Sequence, residues 1–423
     1  KNDWGNKGFS GKWSRQWNPK LYSNFLLANS NYFSKYDRAV DILVSLVEQD
    51  TVVLDTENLT FEDNDVNDLT VRLDFEYQLN SRHKLEFGGT STLAEVDYQF
   101  IRDDTLSILD LQQEASFTAA YVSDTWTPIS RLYITAGLRT TYYDIDDKFY
   151  WAPRFSFQYN LTKKISLKGG YGKHYQFVNR IVNENVTEGS RDFWLLADDD
   201  LVKVSSAEHF VLGVCYETDN YIFDVEAYRK ELGNLSEFSL RFQRDDIDLD
   251  KLFFSGNGYA EGIEFLFQKK KGDYTGWVTY TLAQVRNNFP ELNNGFEFSA
   301  LHDQRHEFKT VHSYEWEKFR LAATFVFGSG KPFTEPSGQY SVELLDGRTF
   351  NYISVGAKNA SRLPAYHRLD LSVHYLTDYK GLDIDVGLSI FNFYENIKSS
   401  PFVSEQTLID FHLQMDEFYK NCK

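Results

Sequence analysis

The sequence has very little cysteine, no long apolar run and an excess of acidic over basic residues. Only Cys215 and Cys422 occur in 423 residues, which excludes a disulfide framework and a CxxC pair. No stretch reaches the ~18 consecutive apolar residues of a membrane-spanning helix. The net charge of −18 argues against nucleic acid as a partner, because phosphate binding requires a basic surface. Soluble proteins and membrane β-barrels remain.

Aromatic residues, in contrast, are abundant, with 35 Phe and 27 Tyr. The mean hydropathy of −0.47 is that of a soluble protein, but barrels escape hydropathy scales because apolar and polar residues alternate along each strand. The stretch LTVRLDFEYQL (69–79) alternates without error. Its length suits a membrane-crossing strand, which needs about 9–11 residues. We expect one face to contact lipid (Val71, Leu73 and Phe75) and the other to line a wet lumen (Arg72, Asp74 and Glu76).

The same alternation recurs in pairs of segments joined by short polar turns, as in 369–376 and 382–391 around TDYKG. Eight such turns predict about sixteen long strands in antiparallel hairpins. Short and long connections alternate strictly in this interpretation; the long ones include 35–68, 173–207, 231–262, 287–305 and 328–367. This layout is typical of bacterial outer-membrane barrels, which have short periplasmic turns and long extracellular loops.

Tryptophan placement supports the same fold. Trp17, Trp126, Trp277 and Trp316 lie in or beside short turns, where membrane barrels carry aromatic girdles, whereas core-filling tryptophans are expected in mid-strand. Closing the strands into a barrel removes every unpaired edge. The predicted fold class is therefore all-β, a transmembrane antiparallel β-barrel of the outer-membrane type, in one domain over residues 1–423.

Five stretches resemble a known family, the TonB-dependent outer-membrane receptors, and most of all those of the Bacteroidetes. They are NASRLPAYHRLDLSVHY (359–375), GLDIDVGLSIFNFYENI (381–397), FSALHDQRHEFKTV (298–311), YAEGIEFLFQKKKGDYTGWVTYTLAQV (259–285) and FVFGSGKPFTEP (325–336). The resemblance implies a barrel of about 22 strands closed by an N-terminal plug domain. We therefore expect residues 1–423 to be an incomplete part of such a barrel, without the plug and early strands. The segment 407–423 is interpreted as extended rather than helical, with the natural final strand missing.

The same resemblance implies function. It predicts a ligand-gated importer of a scarce or bulky nutrient (an iron chelate, cobalamin, a glycan or a peptide) in the outer membrane of a Gram-negative bacterium. Energy would come from the TonB protein through the missing plug domain, and a surface lipoprotein is an optional further partner. The alternatives are a passive porin-like channel and a soluble all-β carbohydrate-binding or structural protein.

No residues form a defensible catalytic constellation, so we expect neither an enzyme nor a cofactor. HDQRH (302–306) spaces two histidines as a helical metal site would, but strand geometry separates their rings, and no metal is predicted. GGYGKHY (169–175) lacks the helix and the Lys-Ser/Thr pair of a phosphate loop. Acidic pairs in the long loops are interpreted as a solvated rim.

Candidate ligand contacts are aromatic or basic residues in long loops or where strands meet them. Aromatic faces stack on sugars, whereas arginine and histidine bind carboxylates. Aromatic residues at strand ends also serve the outer girdle, so each candidate keeps that second interpretation. The candidates are Trp151, His174, Tyr175, Arg180 and Trp194.

Overall fold

The computed structural model describes residues 2–44, 54–102, 106–185, 189–238, 252–343 and 349–393. The predicted extended segment at 407–423 lies outside these ranges. No helix within them is long and apolar enough to span a membrane. The chain divides into two compact units: unit 1 comprises Lys1–Leu212, Tyr228–Ala260 and Asn287–Glu297, and unit 2 comprises Gly213–Ala227, Glu261–Arg286 and Phe298–Lys423.

The described residues are almost entirely β-strand. In chain order the strands are β1 (Asn2–Asn18), β2 (Leu21–Val44), β3 (Leu54–Gln78), β4 (His83–Arg102), β5 (Leu106–Ile129), β6 (Leu132–Tyr143), β7 (Lys148–Asn160), β8 (Ile165–Gln176), β9 (Val178–Asn185), β10 (Gly189–Leu196), β11 (Ser205–Glu217), β12 (Tyr221–Phe238), β13 (Phe253–Lys269), β14 (Tyr274–Asn288), β15 (Phe298–Ser299), β16 (His306–Trp316), β17 (Phe319–Gly328), β18 (Pro332–Phe333), β19 (Pro336–Glu343), β20 (Thr349–Val355), β21 (Ser361–Arg362), β22 (Tyr366–Tyr379) and β23 (Leu382–Ile390).

Sixteen of these strands are joined in eight pairs by connections of two to four residues, as the sequence predicts. In unit 1, β1 to β8 form an antiparallel series in chain order, from β1 with β2 to β7 with β8. In unit 2, β14, β16, β17, β22 and β23 pair antiparallel in that order. The short connections are the predicted tight turns. The connections between successive pairs are called outer connections below.

The strands β2 and β3 extend far beyond the predicted wall. They have 24 and 25 residues and pair without interruption from Leu21 opposite Tyr77 to Val44 opposite Leu54, whereas crossing a membrane needs about 9–11 residues. The loop predicted at 35–68 is therefore wrong. Polar side chains bond across the extended part: the Asn31 amide donates to Asp65 at 2.7 Å and Lys35 donates to Asp63 at 2.6 Å.

The outer connections also differ from the prediction in their internal structure. Residues 173–207 contain the hairpin β9–β10, and 328–367 contains two small antiparallel pairs, β18 with β21 and β19 with β20. The outer connection 144–147 is a turn of four residues, as short as the turns at the other end. The predicted strict alternation of short and long connections is wrong at this point.

Each wall strand has one apolar and one polar face, as the alternation predicts. On β3, Leu69, Val71 and Leu73 are about 40% exposed on one face. On the other face, Arg72 pairs with Asp74 at 2.8 Å. The register carries the apolar face across the sheet of unit 1, since Phe75 lies opposite Phe87 and Phe87 lies opposite Val122. This continuous apolar face is not covered by any other part of the described chain in unit 1.

The predicted tryptophan girdle is present on the exposed apolar face for three of the four tryptophans. Trp17, Trp126 and Trp316 are 41% to 56% exposed, and each shares the apolar face of its strand. Trp277 differs, because on β14 it shares its face with Thr275 and Thr279, whereas Tyr274, Val278 and Tyr280 lie on the apolar face. Three of the four turn-flanking tryptophans therefore fit an interfacial belt.

The buried core of unit 1 lies on the polar face, under the hairpin β9–β10. Phe193 of β10 stacks on Tyr98 of β4 with ring centroids 4.2 Å apart, and it meets Phe238 edge to face at 5.3 Å. Phe193 and Leu195 are fully buried. This packing explains why β4 carries apolar residues on its polar face near its C-terminal end, where Val96, Tyr98 and Phe100 are inaccessible.

Candidate ligand-binding site

A basic cleft is open on the polar face of unit 1, across strands β3 to β8 and β11. Its volume is about 540 Å³, within the usual range of small-ligand sites, which is about 300–1,000 Å³. Its lining carries three arginines and one carboxylate, together with a tyrosine and two histidines: Arg72, Arg139, Arg154, Glu86, Tyr121, His174 and His209. Strand alternation brings them to one face although they are distant in sequence. Glu86 forms an ion pair with Lys84 at 2.8 Å.

Small residues form the floor of this cleft. Gly137 and Gly172 lie opposite Arg154 on the two neighbouring strands, and Gly170 lies opposite Ser156. The imidazole of His174 lies over Gly172: a Cβ atom added at that glycine would be only 2.9 Å from His174 Nε2. Without side chains at these glycines, the guanidinium of Arg154 and the ring of His174 border open space.

The arginines of the cleft are not equally neutralised. Arg72 pairs with Asp74, and Asp74 also accepts a hydrogen bond from the Tyr121 hydroxyl at 2.6 Å. Within the described part of the chain, no carboxylate lies in ion-pair range of Arg139 or Arg154. The two arginines are diagonal neighbours on β6 and β7, a separation of about 7–8 Å between backbones. The cleft is thus positively charged in a chain of net charge −18.

The hairpin β9–β10 is fastened to the wall beside this cleft by side-chain amides. Asn64 of β3 accepts the Trp194 N–H at 2.8 Å, and Gln113 of β5 accepts the Leu196 N–H at 2.9 Å. The Tyr143 hydroxyl donates to the Ala197 carbonyl at 2.6 Å. These side-chain groups make the hydrogen bonds that the backbone of a neighbouring strand would otherwise make. They fix the hairpin β9–β10, called the shelf below, on the polar face.

The segment after the shelf is tied to the turn between β6 and β7. Lys148 forms an ion pair with Asp199, and this bond raises the pKa of the Lys148 ammonium above its ordinary value. Asp198 accepts backbone hydrogen bonds from Leu201 and Val202 at 2.9 and 3.1 Å, which closes the turn. The acidic run 198–200 therefore has local structural roles in addition to being solvated.

The residues proposed from the sequence as ligand contacts are divided among four places. His174 lies in the cleft with its ring 4.9 Å from that of His209. Tyr175 packs edge to face on Tyr150 at 4.9 Å. Arg180 and Trp194 are cross-strand neighbours on the shelf, where Arg180 pairs with Asp192. Trp151 is 54% exposed on the apolar face of β7, opposite Thr140, and so points away from the cleft.

Sequence reasoning missed Arg139, Arg154 and His209. All three occupy polar-face positions of clearly alternating strands, and this alternation is the signal that could have identified them. Their proximity, however, depends on the register of several strand pairs, which the sequence alone does not specify.

The HDQRH motif has a structural role in unit 2. Asp303 is fully buried, accepts the Val285 N–H at 2.7 Å and forms an ion pair with Arg362. The His306 ring bonds to the Tyr280 hydroxyl at 2.9 Å. In the described ranges, no group of three or more His, Cys, Asp or Glu side chains is arranged to hold a metal ion. The motif fastens an outer connection to the wall.

Comparison with known families explains this architecture. A sequence model described as "TonB dependent receptor-like, beta-barrel" matches residues 1–393. The chain belongs to this family. A TonB-dependent receptor barrel spans the outer membrane of a Gram-negative bacterium, so the apolar face contacts lipid and the polar face lines the lumen. The predicted outer-membrane β-barrel fold and its location are confirmed, whereas the single domain over residues 1–423 and the likeness to receptors of the Bacteroidetes stay predictions.

Solved structures of outer-membrane receptors share the fold at low sequence identity. The ferric preacinetobactin receptor BauA of Acinetobacter baumannii is 13% identical with a TM-score of 0.60, over 92% of this chain and 58% of that one. FpvA of P. aeruginosa, bound to a pyoverdine–iron complex, is 10% identical with a TM-score of 0.59, over 92% and 52%. The outer-membrane transporter YddB of Escherichia coli is 12% identical with a TM-score of 0.59, over 93% and 59%.

These values show the fold alone. The present chain spans a little more than half of the length of each of the three receptors. A search of curated proteins finds no match. In the TonB-dependent receptor barrel, the basic cleft belongs to the lumen wall, and the shelf β9–β10 lies on the lumen side of β3, β4 and β5.

Proposed function

We propose that the chain is the barrel portion of a receptor that imports a scarce or bulky nutrient across the outer membrane with energy from TonB. The observation that carries this proposal is the cleft on the lumen face, which offers Arg139, Arg154 and His174 to a ligand inside the barrel wall. A passive channel needs a wet lumen but no concave site of this kind. The family and the three solved structures are receptors and transporters, so the proposal includes no enzymatic step.

The proposed ligand path starts at the outer connections and continues along the lumen wall. The shelf lies on the lumen side of β3 to β5, and the cleft extends across β3 to β8 and β11 beside it. In the proposal, residues 1–423 are one barrel domain, and the plug that TonB moves belongs to another part of the receptor. A surface lipoprotein that delivers the nutrient is an optional partner.

The proposal does not specify the class of nutrient, because iron chelates, cobalamin, glycans and peptides all suit the family. One of the three solved structures is a ferric preacinetobactin receptor and another is bound to a pyoverdine–iron complex, which makes ferric chelates the first class to test. Arginine and histidine side chains at the cleft suit the oxygen-rich groups of such chelates.

The test is uptake by cells that express the complete receptor. Cells lacking the receptor gene, with and without a restored copy, are supplied with a panel of ⁵⁵Fe chelates, labelled cobalamin, oligosaccharides and peptides. We expect one class to accumulate only when both the receptor and TonB are present. Accumulation that persists after TonB is deleted would instead support a passive porin-like channel.

A further inference from the structure

We propose that Arg139 and Arg154 form an anion-binding station on the lumen wall, which holds a carboxylate or phosphate group of the ligand during its passage. The inference rests on the proposed function and names the ligand chemistry of the same cleft. Neither residue belongs to the outer connections: both lie within wall strands, Arg139 on β6 and Arg154 on β7.

The geometry directs both guanidinium groups toward one space. Arg154 lies opposite Gly137 on β6 and opposite Gly172 on β8, so neither residue directly opposite it carries a side chain, and its nearest cross-strand side chains are the diagonal ones of Arg139 and His174. Arg139 lies one step along β6 on the same face, opposite Ala152. A guanidinium presents its N–H donors in a planar fork, which matches the two oxygens of a carboxylate or phosphate.

The charge balance indicates that a negative partner is missing from the described residues. The third arginine of the cleft, Arg72, shows the usual arrangement, because Asp74 neutralises it at 2.8 Å. Arg139 and Arg154 have no such carboxylate within the described part of the chain. Placing two like charges side by side is unfavourable unless an anion or water shares the space. An anionic ligand group removes this repulsion, whereas a neutral ligand does not.

Two imidazoles complete the station. The His174 ring lies over Gly172, next to Arg154 across the strand pair, and its centroid is 4.9 Å from that of His209. Neutral imidazole offers one N–H donor per ring without adding a fixed charge. The station thus combines two fixed positive charges with two polar rings, which favours an anion with several oxygens over a single small ion.

The experiment uses the complete receptor purified in detergent micelles, with citrate as the probe in isothermal titration calorimetry. The variants are Arg139→Gln, Arg154→Gln and the double substitution. The matched control is Arg131→Gln, which removes the same charge at the exposed turn between β5 and β6. Heat-modifiable gel mobility establishes that every variant is folded, and inorganic phosphate serves as a competitor.

We expect each single substitution to weaken citrate binding about tenfold, since a charge-assisted hydrogen bond is worth about that factor. The double variant should lose measurable binding, while Arg131→Gln should bind as the unchanged receptor does. Phosphate should compete with citrate only in proteins that retain both arginines.

Two outcomes overturn the inference. The first is equal citrate affinity in the unchanged receptor and the double variant. The second is no citrate binding by the unchanged receptor together with a lower unfolding temperature of the double variant, which would assign the arginines to a carboxylate within the receptor itself. Uptake measurements separate the failure of this inference from the failure of the proposed function. If TonB-dependent import is found together with either of these two outcomes, the proposed function stands and the anion station is wrong.

Discussion

Neighbouring residues of one strand experience different solvents in this molecule, and β5 shows it most directly. Val122 is 53% exposed on the lipid face, whereas Ser123 faces the lumen opposite Glu86. Val122→Arg should lower the free energy of folding into liposomes by about 2–4 kcal/mol, because arginine near the bilayer midplane costs that much. Ser123→Arg is the matched control at the same depth and should be nearly neutral. Urea titration of both variants checks this, and equal losses would contradict the assignment of the faces.

A second residue-scale prediction concerns the buried carboxylate of the HDQRH motif. Asp303→Asn should destabilise the protein by about 2 kcal/mol, because it removes the charge from a fully buried group that bonds the Val285 N–H and the partly exposed Arg362. Glu315→Gln breaks the exposed pair with Arg320 and should cost less than about 1 kcal/mol. Unfolding of both variants in micelles measures the difference. If Asp303→Asn is as mild as the control, the motif does not fasten the outer connection.

At this scale the sequence predicted the faces of the strands better than the candidate site. The alternation in 69–79 assigns Arg72 and Leu73 to opposite faces without further information. The proximity of Arg139 and Arg154 depends in addition on the register between β6 and β7. Register follows from turn geometry and packing rather than from the pattern of one strand. His174 was identified because it flanks a long connection, and Trp151 was chosen on the same ground although β7 turns it toward lipid.

At the scale of elements, the eight tight turns were predictable and the lengths of the outer connections were not. Tight turns stand between two clear alternations, so their signal is local. Beyond the membrane both faces of a strand meet water, and the alternation that marks a strand disappears. The stretches 29–35 of β2 and 62–68 of β3 are therefore largely polar on both faces and resemble a loop in sequence. The shelf β9–β10 was missed because its apolar face is covered by β4 and β12 rather than by an adjacent strand.

The shelf yields an element-scale prediction. Asn64 and Gln113 accept the backbone N–H groups of Trp194 and Leu196, so the double substitution Asn64→Ala, Gln113→Ala removes both acceptors. We expect hydrogen exchange at 189–196 to accelerate by about tenfold or more, since an amide bond to a buried partner is worth about 1–3 kcal/mol. Exchange in β6 and β7 should be unchanged.

The control for this measurement is Asn67→Ala. Asn67 is on the other face of β3, where its side-chain amide bonds to Glu95 at 3.3 Å and does not reach the shelf. Its removal should leave exchange at 189–196 as it is. Equal protection of the shelf in the double variant and the control would show that aromatic packing around Phe193, rather than the amide bonds, holds the hairpin.

At the scale of the whole molecule, the fold was predictable because many weak signals repeat. One alternating strand fits a soluble sheet or a membrane wall, but sixteen strands joined by eight tight turns fit few architectures. The family match over residues 1–393 agrees with that inference. The ligand is harder to predict from the sequence than the fold. Its recognition depends on a few side chains at one place, so no repeated pattern strengthens the signal.

Sidedness is the prediction that belongs to the molecule as a whole. In a background with Cys215→Ser and Cys422→Ser, single cysteines are placed in two tight turns (Lys163→Cys and Lys318→Cys) and in an outer connection (Ser337→Cys); all three positions are exposed. A membrane-impermeant maleimide added to intact cells should label only Ser337→Cys, because tight turns of outer-membrane barrels face the periplasm. Permeabilising the outer membrane should then make both turn cysteines reactive. The opposite result, with the turn cysteines labelled in intact cells and Ser337→Cys protected, would reverse the orientation. The outer connections would then face the periplasm, and a ligand could not reach the cleft through them from outside the cell.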